Sequence, residues 1–341
     1  MSKELPRTPS TRLVGHEGPI RDVIFSCDGN YCLTAGHDRT VRLWNPNRLD
    51  PAQMTESIPC AYTMSSSIRQ VPQALPISVY RDGHTHPVSS IAIDHGSTTI
   101  VSASEKTLVV TDVITQALKR RLHGHEGRIN SVASSSCPSL YASGSYDGTV
   151  RIWDGRSNNP SPVQILTQAK DSVSSIKILE DDEVSIVAAS VDGVVRTYDI
   201  RMSKMVVDEF GDEAVTCVAI SKDTLLAAVS CLGGNIHILE RSSGSILDTL
   251  RGGRSTGRYA LRCEFNATDD YICCGSENGD AVLYNVNSGQ IVQTLTGFHT
   301  RTTSAIACHP FRDHMSVIIT GSYDGNALVW TNGNPNYRRV E

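Results

Sequence analysis

The sequence predicts an all-β chain in which one four-stranded unit recurs seven times and closes into a ring. Three observations carry that expectation. A strand–turn–strand string recurs with a constant internal offset. The copies are spaced at a distance that suits four short strands. No window shows a helical hydrophobic period of any length.

The string is clearest in three places: Leu33-Thr-Ala-Gly-His-Asp-Arg-Thr-Val-Arg-Leu-Trp-Asn45, Leu140-Tyr-Ala-Ser-Gly-Ser-Tyr-Asp-Gly-Thr-Val-Arg-Ile-Trp-Asp154 and Ile319-Thr-Gly-Ser-Tyr-Asp-Gly-Asn-Ala-Leu-Val-Trp330. Each holds an apolar strand, a tight turn with an aspartate and a second strand closed by tryptophan. The Asp-to-Trp offset is six every time: 38 to 44, 147 to 153 and 324 to 330. The same offset finds weaker copies, where Glu105 precedes Thr111, Asp192 precedes Tyr198, Gly233 precedes Leu239 and Asn278 precedes Tyr284. Spacings between the last positions are then 67, 42, 45, 41, 45 and 46 residues, and five of the six suit one four-stranded unit. A short β-branched run bounded by Gly, Asp or Ser precedes each turn, as in Ile20–Phe25, Val88–Ile93 and Val215–Ile220, and reads as the first strand.

In order, the units occupy 15–45, 79–119, 120–165, 166–208, 209–250, 251–295 and 296–331. Residues 46–78 account for the 67-residue spacing. Pro46, Pro51, Pro59, Pro72 and Pro76 punctuate them, with Ser65-Ser-Ser67 between, so they read as a partly disordered loop. The last unit lacks a fourth strand, and residues 10–14 precede the first. That segment can supply it, and closing the ring in this way would remove the exposed sheet edges.

Composition narrows the function. Of 341 residues, 39% are apolar and 20% charged, enough for a core. The net charge of −5 disfavours a purely electrostatic nucleic-acid binder. Apolar runs stay under ten residues, too short for a membrane-spanning helix, and the N-terminus has no apolar secretory stretch. None of the ten cysteines forms a C-x-x-C pair, so they read as reduced core thiols of a cytoplasmic and nuclear protein.

These strings resemble the WD-repeat β-propeller family over essentially the whole chain. Its Gly-His to Trp-Asp signature stands as Gly15-His16 to Trp44-Asn45 and Gly124-His125 to Trp153-Asp154. The resemblance implies a seven-bladed propeller with a hydrogen-bonded tetrad in each well-formed blade. Three sets match: His16, Thr34, Asp38 and Trp44; His125, Ser143, Asp147 and Trp153; His299, Thr320, Asp324 and Trp330. In the third, His299 follows Phe298 rather than Gly. The other four blades lack the full set and are expected to open first.

An Asp–His–Ser set also looks like a hydrolase triad. A nucleophile must face a substrate cavity, whereas this Ser alternates with apolar neighbours, and three copies would mean three equivalent sites. The reading is therefore non-catalytic, with no cofactor and no small-molecule substrate. His84 and His86 lack a third metal ligand, so no metal site is assigned. The stretch Arg251–Arg262 is glycine-rich and basic but lacks the phosphate-loop pattern. Arg251, Arg254 and Arg258 are instead candidates to bind phosphate or an acidic partner segment. His37, Tyr146, Val191 and Tyr323 each precede the turn aspartate, and with Arg39 they form a candidate partner surface. Thr8-Pro9 and Ser161-Pro162 are candidate proline-directed phosphorylation sites.

Two longer strings sharpen the resemblance. Asp28-Gly-Asn-Tyr-Cys-Leu-Thr34 with Leu43-Trp-Asn-Pro46, and Asp171-Ser-Val-Ser-Ser-Ile-Lys177 with Ser190–Met202, are similar to the mitogen-activated protein kinase organiser family of WD-repeat scaffolds. That resemblance implies a scaffold for kinase-cascade components, a subunit of the pre-mRNA splicing machinery, or both. Its partners would be proteins, with nucleic acid met only indirectly inside a larger complex. The alternative is a substrate-receptor subunit of a ubiquitin ligase.

Overall fold

Short β-branched runs separated by tight turns pair with their sequence neighbours. In the computed structural model, which describes residues 5–48, 71–135, 140–180, 184–314 and 316–332, they make seven antiparallel sheets. Blade 1 holds Ile20–Phe25, Cys32–Gly36, Val41–Trp44 and Ser78–Tyr80. Blade 3 holds Ile129–Ser134, Leu140–Ser145, Val150–Asp154 and Gln164–Leu166. Blade 5 holds Val215–Ile220, Leu226–Cys231, Ile236–Glu240 and Ser245–Leu250. Blades 2, 4 and 6 repeat the plan over 88–123, 173–209 and 263–295. Blade 7 takes Thr303–Cys308, Ile318–Ser322 and Ala327–Thr331 from the C-terminal side and Thr8–Leu13 from the N-terminal side. The seven first strands touch one another in an unbroken cycle. The chain is a seven-bladed propeller.

Burial falls from axis to rim. The second strands Cys32–Gly36, Thr99–Ser104 and Ile318–Ser322 are buried at every position, because blades cover both their faces. Outer strands such as Lys204–Glu209 and Leu118–His123 are mostly exposed and mix charged with apolar side chains. Apolar clusters sit between adjacent blades. One joins Leu13, Ala74 and Val329 of blade 7 to Val23, Cys32 and Trp44 of blade 1. Among the described residues eight cysteines form no disulfide, and seven of them are buried; Cys60 and Cys137 lie outside the described residues.

The segment expected as a 46–78 loop departs from that reading at its end. Residues 49–70 lie outside the described part, but Gln73–Ala74 pairs parallel to the closing strand and makes blade 7 five-stranded. Ser78–Tyr80 then becomes the outer strand of blade 1, so the boundary at 79 cuts a strand. Prolines hid both strands. Yet Pro72 offers its carbonyl to Arg12 N–H and needs no N–H in return. The consequence is a second chain crossing between blades 7 and 1, where the ring closes.

Candidate functional site: the buried tetrads and the channel mouth

Two groups of polar residues gather on the face that carries the turn aspartates. The first is the tetrads. In blade 3, Trp153 Nε1–H donates to Ser143 Oγ at 2.8 Å, Ser143 Oγ lies 2.8 Å from His125 Nε2, and His125 Nδ1 lies 2.9 Å from Asp147 Oδ2. Blade 1 repeats this through Trp44, Thr34, His16 and Asp38 at 2.8, 2.6 and 2.9 Å. Blade 7 does so through Trp330, Thr320, His299 and Asp324 at 2.8, 2.8 and 3.2 Å.

Protonation gives these chains one direction. Burial lowers the pKa of His16 and His125 and outweighs their aspartates, so both rings are neutral. Each then donates Nδ1–H to a carboxylate and accepts the hydroxyl proton at Nε2. Burial also pushes against each carboxylate, but the histidine and backbone donors win and hold Asp324 at about 2. Asp147 further accepts from the N–H groups of Glu126 and Thr149. Each Ser or Thr hydroxyl is buried beneath a tryptophan and spent on the histidine. No substrate can reach it as a nucleophile.

The tetrads also explain their flanking residues. A Cβ on Gly124 would lie 3.2 Å from Trp153 and closer still to Arg151, and one on Gly15 would strike Arg42. Blade 7 has Leu328 where those arginines stand, which leaves room for Phe298, packed edge-on against Trp330 at 5.5 Å.

Blade 2 keeps only the bond from His84 to Ser102, at 2.6 Å. Two residues lie between paired Ser104 and Thr107, where blade 3 has three between Ser145 and Thr149. The missing residue is the aspartate, and Glu105 turns outward to His86 at 3.0 Å. His84 and His86 thus serve different partners. In blade 4, Arg196 grips Asp192 with two hydrogen bonds of 3.2 and 2.8 Å. In blade 5, Gly233 stands at the aspartate position; Glu213 accepts from Asn235 at 2.8 Å, and its other oxygen lies 3.8 Å from His237. Cys231, its thiol pushed up to about 12 by burial and by Glu213, completes a group whose donor atoms lie within 4.8 Å of one another.

The second group is the mouth of the central channel, a cavity of about 370 Å³. Its wall is built by a repeated irregularity. In six blades the pairing of first and second strands slips at the second residue of the first strand. Such bulges re-aim a side chain. The bulged residues, Arg21, Ser89, Asn130, Ser174, Thr216 and Ser304, all line the mouth, with Arg262 in the corresponding place in blade 6. Most of them bind the neighbouring blade. Ser89 donates to Ile129 O, Ser174 to Val215 O and Ser304 to Ile20 O, at 2.6, 2.8 and 3.1 Å. Arg262 crosses to Asp22 at 2.9 Å, closing the floor over a carboxyl that is wholly buried.

The mouth sorts the residues expected to bind partners. Arg258, Val191 and Tyr323 line it. Tyr146 stands 69% exposed beside it, its N–H bonded to Arg128 O. His37 and Arg39 are exposed on blade 1 but do not line the cavity. Arg251 is exposed outside it as well. Arg254 turns inward, a correction to its expected role: its guanidinium donates to Ser230 Oγ and to the carbonyls of Gly234 and Asn235, which pins the loop to blade 5. Sequence reading missed Arg21, Arg128, Tyr259 and Arg262. Aligning the repeats on the bulged second residue of each first strand reveals Arg21 and Arg262, because that register faces the axis.

Ser161 is exposed, whereas Thr8 lies in the closing strand opposite Thr331. Among the described residues no helix is long and apolar enough to cross a membrane.

Comparison with known proteins agrees with this geometry. The family described as WD domain, G-beta repeat matches residues 7–45, 76–112, 116–154 and 289–331. Those stretches contain all three tetrads and the third strands of blades 1, 2, 3 and 7. WD repeat domain-containing protein 83 of Rattus norvegicus is 32% identical over 90% of this chain and 88% of its own. The Homo sapiens protein of that name is 31% identical over 94% and 91%. A homolog from Dictyostelium discoideum is 26% identical over 93% and 96%. Among solved structures, the WD40 beta propeller domain of Doa1 superposes with a TM-score of 0.76 at 18% identity over the full length of both chains, a likeness of fold. The chain belongs to the WD-repeat family of β-propellers, generally interaction scaffolds.

Proposed function

We propose that this protein is a non-catalytic scaffold that docks other proteins on the face around the channel mouth. One observation carries the reading: every tetrad hydroxyl and imidazole that could do chemistry is buried and already bonded, while arginines and tyrosines of the same face stand open. Arginine and tyrosine are the residue types that dominate protein interfaces. The finer role is to organise kinase-cascade components or to serve the pre-mRNA splicing machinery, in cytoplasm and nucleus. Similarity to WD repeat domain-containing protein 83 over most of both chains supports it, as do the strings in blades 1 and 4.

The test is to tag the protein in its own cells, purify it at moderate salt and identify co-purifying chains by mass spectrometry. Spliceosomal proteins with a nuclear signal assign the splicing role. Kinases and their adaptors without splicing proteins assign the signalling role. Recovery of the protein alone, or chiefly with ubiquitin-ligase subunits, contradicts the proposal.

A further inference from the structure

We propose that the channel mouth is a phosphate-reading site, which takes a phosphorylated serine or threonine of a partner peptide against Arg21, Arg128 and Arg258. The inference rests on the scaffold reading and names what the scaffold recognises. The chain carries a net charge of −5, yet four arginines line this one cavity, and its lining holds no carboxylate. Arg262 is neutralised by Asp22. Among the described residues no carboxylate lies within ion-pair distance of the other three. The carboxylate nearest in sequence register, Glu277, is occupied by the backbone N–H groups of Arg258 and Tyr259, so it holds the loop.

Arg21 is the most telling of the three. The bulge residues Ser89, Asn130, Ser174 and Ser304 bond the next blade, but Arg21 lies over the ring of Tyr323, 5.8 Å from its centre, and its buried Nε has no hydrogen-bond partner. A buried unpaired donor is costly unless a ligand completes it. Arg128 stands close enough that desolvation and the Arg21 charge both lower its pKa. Like charges crowded at a concave site favour an anion of more than one charge. A phosphate monoester brings close to two charges and three acceptor oxygens, and guanidinium forks match that geometry. A carboxylate brings one charge and two oxygens.

The cavity volume is within the range of small-ligand sites, about 300–1,000 Å³. That suits one modified side chain entering from a peptide laid over Tyr146 and Val191. A nucleic-acid strand would need a cationic track and open aromatic faces. Here Tyr259 packs edge-on against Tyr323, and Arg21 covers the Tyr323 face.

The test uses the full-length protein on an array of degenerate serine and threonine peptides, each present in phosphorylated and unphosphorylated form. Wild type is expected to be retained at least about tenfold more by the phosphorylated member of favoured pairs. Arg21→Gln and Arg128→Gln each lose that preference, with unchanged melting. Arg156→Gln, at an exposed arginine beside Asp154 away from the mouth, keeps it. Arg128→Gln lies at the rim and keeps the test readable should Arg21→Gln fail to fold. Equal retention of both members of every pair overturns the site, and so does preference that survives both mouth variants. Displacement of bound phosphopeptide by a uridine oligonucleotide that needs the same arginines also overturns it and assigns the mouth to nucleic acid. Partners recovered from cells alongside a blank array would remove the phosphate site and leave the scaffold; a phosphopeptide-selective array without cellular partners would do the reverse.

Discussion

Blades 3 and 5 share one backbone plan but are held by different means. Blade 3 runs a hydrogen-bonded chain from Trp153 through Ser143 and His125 to Asp147. Blade 5 puts Leu239, Val229 and Gly233 at the Trp, Ser and Asp positions; Leu239 and Val229 pack into an apolar cluster, while Gly233 is exposed. Both make four-stranded sheets with the same slip in the first strand. The network is therefore not what specifies a blade. It adds stability and locks the face turns of blades 1, 3 and 7, whereas apolar burial with isolated polar pairs such as His84–Ser102 and Arg196–Asp192 suffices elsewhere.

The largest expected contrast is at the Trp position. Trp153→Ala removes a fully buried ring and takes one donor from the Ser143 hydroxyl, which keeps only its bond to His125, so it should cost about 3–5 kcal/mol. Leu239→Ala removes packing alone and should cost less, about 2–4 kcal/mol. Urea unfolding of both variants measures the difference, and equal losses would break the comparison.

Next comes the turn carboxylate. Asp147→Ala strands the His125, Glu126 and Thr149 donors and should cost about 2–3 kcal/mol. Asp192→Ala in blade 4 strands the buried Arg196 guanidinium together with the Lys170 and Val194 N–H groups and should cost a similar amount, roughly 2–3 kcal/mol. Hydrogen exchange should report blades 2, 4, 5 and 6 opening before blades 1, 3 and 7. A mutant at Asp147 that melts with wild type would refute its role.

Acid sharpens the contrast further. His84 and His309 are lowered to about 4, chiefly by burial, so each is neutral when folded and protonated more readily when unfolded. Stability should fall as pH drops from about 6.5 toward 4, because the unfolded chain binds more protons there. Asp324, held at about 2, contributes stability that is complete above about pH 4 and is lost as pH falls through 2. Thermal melts between pH 7 and pH 2 should show both stages, and His84→Gln should shrink only the first.

The smallest effect is at Arg39. Its φ of 66° places it in the left-handed region, where Gly148, Gly193, Gly234, Gly279 and Gly325 serve in other blades. Arg39→Gly should stabilise by roughly 0.5–1 kcal/mol. If the strain is kept for binding, the same variant weakens partner capture; a destabilised Arg39→Gly would show that no strain is stored there.

The tetrads and the ring were legible because both rest on local periodicity. The offset from Asp to Trp is fixed by one hairpin, and three blades carry it unaltered. In blade 2 the hairpin is one residue shorter, so Glu105 fits the offset but not the role. Gln73–Ala74 and Ser78–Tyr80 escaped notice because their partners lie far along the chain, at Arg12–Leu13 and Val41–Leu43. The mouth was half legible. Arg258 and Tyr323 stood out beside glycines and the turn motif. Arg21 and Arg128 did not, because seven strand starts converge on one axis only after the ring closes.

The tetrads are expected to hold the platform, and the open arginines and tyrosines of the face to do the binding. The direct measurement is quantitative partner recovery from cells carrying wild type, Thr34→Val or Arg128→Gln, each normalised to folded protein and paired with a melting curve. Thr34→Val should melt lower and keep its partners, while Arg128→Gln should melt as wild type and lose them. Partners lost with Thr34→Val but retained with Arg128→Gln would contradict the claim.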